Sequence, residues 1–258
     1  MSSLVLKLSS VYDWVMSQKL FAATADDPVQ DPAMLRIDNP PVTLREMALE
    51  RLRNAIIAGI FRPGQRLVER ALCDQLGVSR SVIREVLRHL EAEGLVEMAP
   101  KQGPIVALIA WHQARQIYDI RIALETTAVA DCARGADPDT KEKLRTVLED
   151  LDRNSRKNDA LTILAATNAF YETIFLSGGH EIAWDIVKRL NGRISRLRVM
   201  TLATANRTIS GPANMRAIFD AILRNDPDAA TAACRAHITE AARIAEGLLS
   251  PETPATIA

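Results

Sequence analysis

The sequence predicts a mainly α-helical protein in two parts: a small three-helix unit closed by a β-hairpin, then an antiparallel all-helical bundle. Three observations predict this. Apolar residues recur at three- and four-residue spacing through almost the whole chain after Thr43. The pattern changes once, at "LVEMA", "PKQG" and "PIVALI", which reads as strand, turn and strand. From Trp111 onward no alternating pattern recurs, and Gly, Pro, Asp and Ser punctuate six amphipathic segments.

The chain has 258 residues, 48% hydrophobic and 25% charged, enough for one large domain or two ordinary ones. Its formal net charge is zero, so any surface for a polyanion must be local. Cys73, Cys132 and Cys234 lie far apart without a C-x-x-C pair and read as buried small hydrophobes in a reducing compartment. No stretch reads as apolar and long enough to span a bilayer, and the N-terminus lacks the succession of a signal peptide. These features point to a cytoplasmic protein with no membrane partner.

Residues 1–40 read as a flexible or partly helical extension. "SSVYDWVMSQKL" suits a short helix, and "ADDPVQDPAMLRIDNPP" collects prolines and Asp/Asn without periodicity. Residues 41–110 form the first unit. "TLREMALERLRNAIIAG" places Leu44, Met47, Ala48, Leu52, Ala55 and Ile56 on one stripe and stops at Gly59. A Pro-Gly turn leads to the short helix "ERALCDQLG", which Gly77 stops. A third helix runs from Ser79 to Glu93, and the hairpin follows. This is the plan of a winged helix-turn-helix. Residues 111–250 form the bundle, with helices expected near 112–134, 139–157, 160–177, 180–205, 212–225 and 228–249 and a break at Ser210–Pro212. Residues 251–258 read as a disordered tail.

The third helix, "GVSRSVIREVLRHLEAEGLV", carries the first functional signal. At roughly 100° per residue, Val82, Ile83, Val86, Leu87 and Leu90 cover one arc, and Arg80, Arg84 and Arg88 another. Ser79 is placed to cap the helix. The helix is thus anchored by one face and offers guanidinium groups on the other, shaped for phosphate oxygens or guanine edges. Alone, such a row is commonly a solvated face paired with Glu85, Glu91 and Glu93. The Gly turn, the serine cap, the polar hairpin tip and the local excess of 10 basic over 8 acidic residues in 41–110 favour DNA.

The segment from Leu52 to Ala107 resembles the DNA-binding domain of the GntR family of bacterial transcription regulators, through G-x-x-x-P-G-x-x-L, L-G-V-S-R, R-E-V-L-x-x-L and E-G-L-V. "IYDIRIALETTAVADCA" and "IFDAILRNDPDAATAACRAHI" resemble the opening and closing helices of the FCD-type effector domain in the FadR branch. The resemblance covers about residues 43–249. It implies a homodimer that binds double-stranded, palindromic operator DNA and responds to a small-molecule effector. It also implies operator contacts by Arg70, Ser79, Arg80, Ser81, Arg84, Gln102 and Gly103, with Arg88 and Lys101 as weaker candidates.

Many members of that branch hold a divalent metal on an Asp and a His four residues apart plus two later histidines. These positions map onto Thr167, Tyr171, Met215 and His237, so only one imidazole remains. No metal or other cofactor is therefore expected. The pocket itself, with Arg121 added, is expected to take a small organic anion directly. Two readings stay open for Arg121: a pocket cation, or an i,i+4 partner of Glu125. The pocket is either functional, which makes the protein an effector-controlled repressor, or degenerate, which makes it an effector-independent one. A third reading, an enzyme on the bundle, finds no G-x-S-x-G, P-loop, H-E-x-x-H or paired-carboxylate pattern.

Overall fold

A computed structural model of the protein describes residues 43–157 and 159–250, with the backbone alone at 154–157 and 205–210. The expected N-terminal extension and C-terminal tail lie outside the described residues. The first unit comprises α1 (Leu44–Ile57), α2 (Glu69–Leu76), α3 (Arg80–Ala92), β1 (Val96–Ala99) and β2 (Gly103–Val106). The two strands pair antiparallel, with Val96 opposite Val106 and Ala99 opposite Gly103. Ile83, Val86, Leu87 and Leu90 of α3 are buried against Leu49, Leu52 and Ile56 of α1 and against Leu67, Leu72 and Leu95.

The turn residues act where the backbone demands them. Gly77 closes α2 in the left-handed region, and its N–H bonds Cys73 O at 2.9 Å. Ser79 then caps α3, its hydroxyl accepting the Val82 N–H at 3.4 Å. The stripe expected on α1 is rotated. Leu44 is 66% exposed and Met47 43%, whereas Ala48, Leu49, Leu52, Ile56 and Ile57 are buried. The first turn of α1 overhangs the small core, and only its later turns face α3.

The bundle comprises α4 (Trp111–Gly135), α5 (Pro138–Lys157), α6 (Ala160–Ser177), α7 (Glu181–Leu202), α8 (Ala205–Leu223) and α9 (Pro227–Leu249). Helix α9 packs along α4 and α8, α5 along α6 and α8, and α6 against α7. The core gathers Val129, Cys132, Phe170, Ile174, Phe175, Ile218, Ile222, Cys234 and Ile238. Asp159 caps α6 by accepting the Leu161 N–H at 3.1 Å, and Asp226 caps α9 through Ala229 N–H at 2.9 Å, with Pro227 in the first turn.

Two expectations from local rules are corrected. The break expected at Ser210–Pro212 is absent, because α8 starts at Ala205 and carries Pro212 inside it. The real interruption is at Ala203–Thr204. A proline costs the helix one backbone bond, and burial of Met215, Ile218, Phe219 and Ile222 on the next turns outweighs it. The expectation that no stretch is apolar and long enough to span a membrane is also corrected. The 18 residues Ala160–Ser177 meet that standard by length and composition, at a mean hydropathy of 1.2. Their apolarity is used inside the fold: Ile163, Ala166, Phe170, Tyr171, Ile174 and Phe175 belong to the bundle core, and Leu164 is buried in the core of the first unit.

Helix α7 serves both cores. A Cβ on Gly192 would stand 3.0 Å from the Leu95 side chain, and the Arg193 side chain occupies the space beside Gly94, where φ is +70°. The Arg196 guanidinium donates to Ala107 O at 2.7 Å. Val199 packs against the core of the first unit.

Candidate functional site

On the first unit, Arg70, Ser79, Arg80, Ser81, Arg84 and Arg88 are all exposed. Ser79 and Ser81 share a hydrogen bond of 2.8 Å at the N-terminus of α3. That terminus also presents unpaired backbone N–H groups, a setting that favours anions. The Arg84 Nε donates to Glu69 at 3.0 Å, an ion pair that ties α3 to the start of α2. This pairing was not foreseen, since Glu69 lies 15 residues from Arg84. Gln102 is exposed at the hairpin turn, and Gly103 follows with φ of +77°. Lys101 also takes a positive φ, 63°, which turns the chain tightly at the tip.

The bundle encloses a cavity of about 230 Å³. Four of the five sequence-derived pocket residues, Arg121, Thr167, Met215 and His237, line it. Tyr171 does not: it is buried, and its hydroxyl has no hydrogen-bond partner among the described residues. Burial first, and then Glu125, push the Tyr171 hydroxyl well above its usual range. The Thr167 hydroxyl donates to Ile163 O at 2.8 Å, so toward the cavity it can only accept.

Arg121 is the i,i+4 partner of Glu125 and stands in the cavity wall as well. Its Nε and Nη2 donate to the two Glu125 carboxylate oxygens at 2.7 and 3.2 Å. Burial opposes its charge, but the Glu125 carboxylate more than compensates and holds the guanidinium firmly protonated.

The cavity residue that sequence reasoning missed is Arg198 of α7. Its Nη1 donates to Asn168 Oδ1 at 2.7 Å, and its guanidinium carbon stands 5.5 Å from the Tyr171 ring centre. Burial, and then the like charge of Arg121, lower its pKa to about 10. A signal was present: Arg198 falls on the same helical face as Ser195 and Leu202, where an apolar residue would be routine.

Comparison with known proteins places this geometry. The model of the bacterial regulatory proteins, gntR family, matches residues 44–106, and the FCD domain matches residues 116–240. An uncharacterized HTH-type transcriptional regulator from an unstable DNA locus of Streptomyces ambofaciens is 30% identical over 189 residues, 73% of this chain and 79% of that protein. The chain belongs to the GntR family. This GntR protein is thus a transcription regulator carrying an FCD effector-binding domain. The E. coli HTH-type transcriptional repressor RspR is 25% identical over 78% of this chain and 89% of its own length. In fold, the regulator is similar to E. coli McbR/YncC, with a TM-score of 0.69 and 22% identity over 81% of this chain and 100% of that one.

The divalent-metal pattern of the branch does not fit this GntR chain. Of the four positions, His237 alone offers a nitrogen ligand, Thr167 and Met215 are poor donors, and Tyr171 is not among the residues lining the cavity. Among the described residues, no three His, Cys, Asp or Glu side chains cluster as a metal site. Arg198 and Arg121 would moreover repel a cation placed there. Elemental analysis of the dialysed protein is expected to find no stoichiometric transition metal. A metal retained per chain and lost in His237→Ala would overturn this.

Proposed function

We propose that the protein is a repressor that binds a palindromic operator as a homodimer, acts in the cytoplasm without catalysing a reaction, and is controlled by a small organic anion in the bundle cavity. The observation that carries the DNA-binding part is α3 itself. Its buried face fixes it to the core, its serine-capped N-terminus faces solvent, and Arg80, Arg84 and Arg88 are exposed. In this reading Ser79 and Ser81 hold phosphates, Arg80 and Arg84 contact base edges, Arg70 supports them, and Gln102 and Gly103 carry the wing to the minor groove. The repressor sense draws on relatives such as RspR. The cavity and its cations favour effector control over a degenerate pocket.

An apolar stripe exposed among the described residues supports the dimer. Ile182 is 81% exposed, and Ile186 follows it one turn later on α7, also exposed. Ile120 on the adjoining α4 is exposed as well. Exposed apolar side chains of this kind suit a two-fold interface. Light scattering is expected to give a dimer for the wild type and a monomer for the Ile182→Glu/Ile186→Glu double variant. Footprinting on genomic fragments should show a symmetric operator, protected by the wild type and lost with the double variant. A wild-type monomer that grips its operator tightly would refute the proposal.

A further inference from the structure

The charges around the bundle cavity do not balance, and the imbalance defines a ligand. Of the described residues lining it, Arg121, Thr167, Arg198 and His237 are polar, and none is a carboxylate. The Arg121 charge is matched by Glu125. The described partners of Arg198, the Asn168 side-chain oxygen and the Tyr171 ring, bring no formal negative charge. The rest of the wall, including Leu151, Ile163, Leu202 and Met215, is apolar. A half-buried guanidinium held in place by neutral groups and facing an apolar chamber is an incomplete ion pair.

We propose that Arg198 anchors the carboxylate of an organic monoanion directly, and that its fixed positive charge stands in for the metal ion this chain cannot hold. The proposal rests on the reading of the cavity as the effector site. Asn168 and the Tyr171 ring orient the guanidinium, which leaves further N–H donors for a two-point contact with a carboxylate. The apolar wall then receives the body of the ligand. Charge number is selected as well. One carboxylate neutralises the excess of one guanidinium, whereas the second charge of a dianion would find, among the described lining, a guanidinium already matched by Glu125, the His237 ring, and otherwise apolar side chains that cost it its hydration. The Thr167 hydroxyl, whose proton is engaged by Ile163 O, cannot donate to that second charge. Burial and the like charge of Arg121 outweigh the pull of Glu125 on Arg198, and an incoming carboxylate would add a negative charge beside it.

Calorimetric titration and thermal unfolding of the full-length protein test this with hexanoate, benzoate, their neutral amides and adipate. The acids should bind roughly tenfold to a hundredfold more tightly than the amides, the weight of a charge-assisted hydrogen-bonded pair. Adipate should be weaker than hexanoate. Arg198→Met should abolish the preference for acid over amide, and Arg198→Lys should restore part of it. Operator binding and the unliganded unfolding midpoint report whether each variant is folded. If Arg198→Met fails to fold, Asn168→Ala, which loosens the guanidinium, should reduce the same preference. Equal binding of acids and amides by the wild type, or an acid preference that survives Arg198→Met, overturns the role of Arg198 and leaves the effector cavity standing. No binding by any of these compounds overturns the proposal and removes the support for the effector site too.

Discussion

Replacing Glu125 by alanine is expected to lower the free energy of unfolding by about 3–5 kcal/mol, the usual cost of leaving one member of a buried ion pair alone. The Arg121 and Glu125 side chains are 2% and 0% exposed, and among the described residues Glu125 is the carboxylate that pairs with Arg121. The orphaned guanidinium would have to draw water or an anion in from the cavity. Denaturant unfolding measures the loss, and added carboxylate should recover part of it in the variant by binding the exposed charge. Replacing both partners, as Arg121→Met/Glu125→Leu, should cost far less than Glu125→Ala alone, because it removes the charge instead of stranding it. A Glu125→Ala protein as stable as the wild type would show that the pair is already hydrated in solution.

Removing Arg80 or Arg84 should weaken specific operator binding by about 1–3 kcal/mol each, the weight of a side chain that reads a base edge. Lys101→Ala should instead flatten the salt dependence and leave sequence preference intact. Arg84 adds a complication that the sequence concealed. It is already engaged by Glu69, so DNA must compete with, or accept, that carboxylate. Glu69→Gln should therefore raise non-specific affinity while blurring discrimination among operators, because Arg84 gains freedom as it loses its guide. Equilibrium binding across a set of operator variants separates these effects. An Arg84→Ala protein that binds its operator like the wild type would place the recognition face elsewhere.

The first unit was legible because its determinants are local. The apolar arc of α3, the serine cap and the Gly77 stop are contained within a few turns of chain, and periodicity reports them directly. The cavity was legible only in part. Arg121, Thr167, Met215 and His237 reach it, yet Tyr171 is packed below, since its ring lies edge-on to Phe170 in the core at 5.7 Å between ring centres. Arg198 escaped notice because its surroundings are made by α6, 30 residues earlier in the chain. In "RISRLRV" three arginines look alike, but Arg193 covers Gly94, Arg196 bonds the Ala107 carbonyl and Arg198 enters the cavity. Pro212 misled for the complementary reason: the rule for proline is local, and the packing of the residues after it is not.

The sharing of α7 and Leu164 between two cores bears on how such a chain can diversify. Families built from two modules are often pictured as exchanging a sensor for another by recombination at the joint. Here a cut after Ala110 would separate Leu95 from Gly192 and remove Leu164 from the helix-turn-helix core. A foreign sensor would need a small residue and a leucine at matching places to fill the same gap. A point change inside the cavity leaves that shared packing in place, whereas replacing the bundle as a block does not.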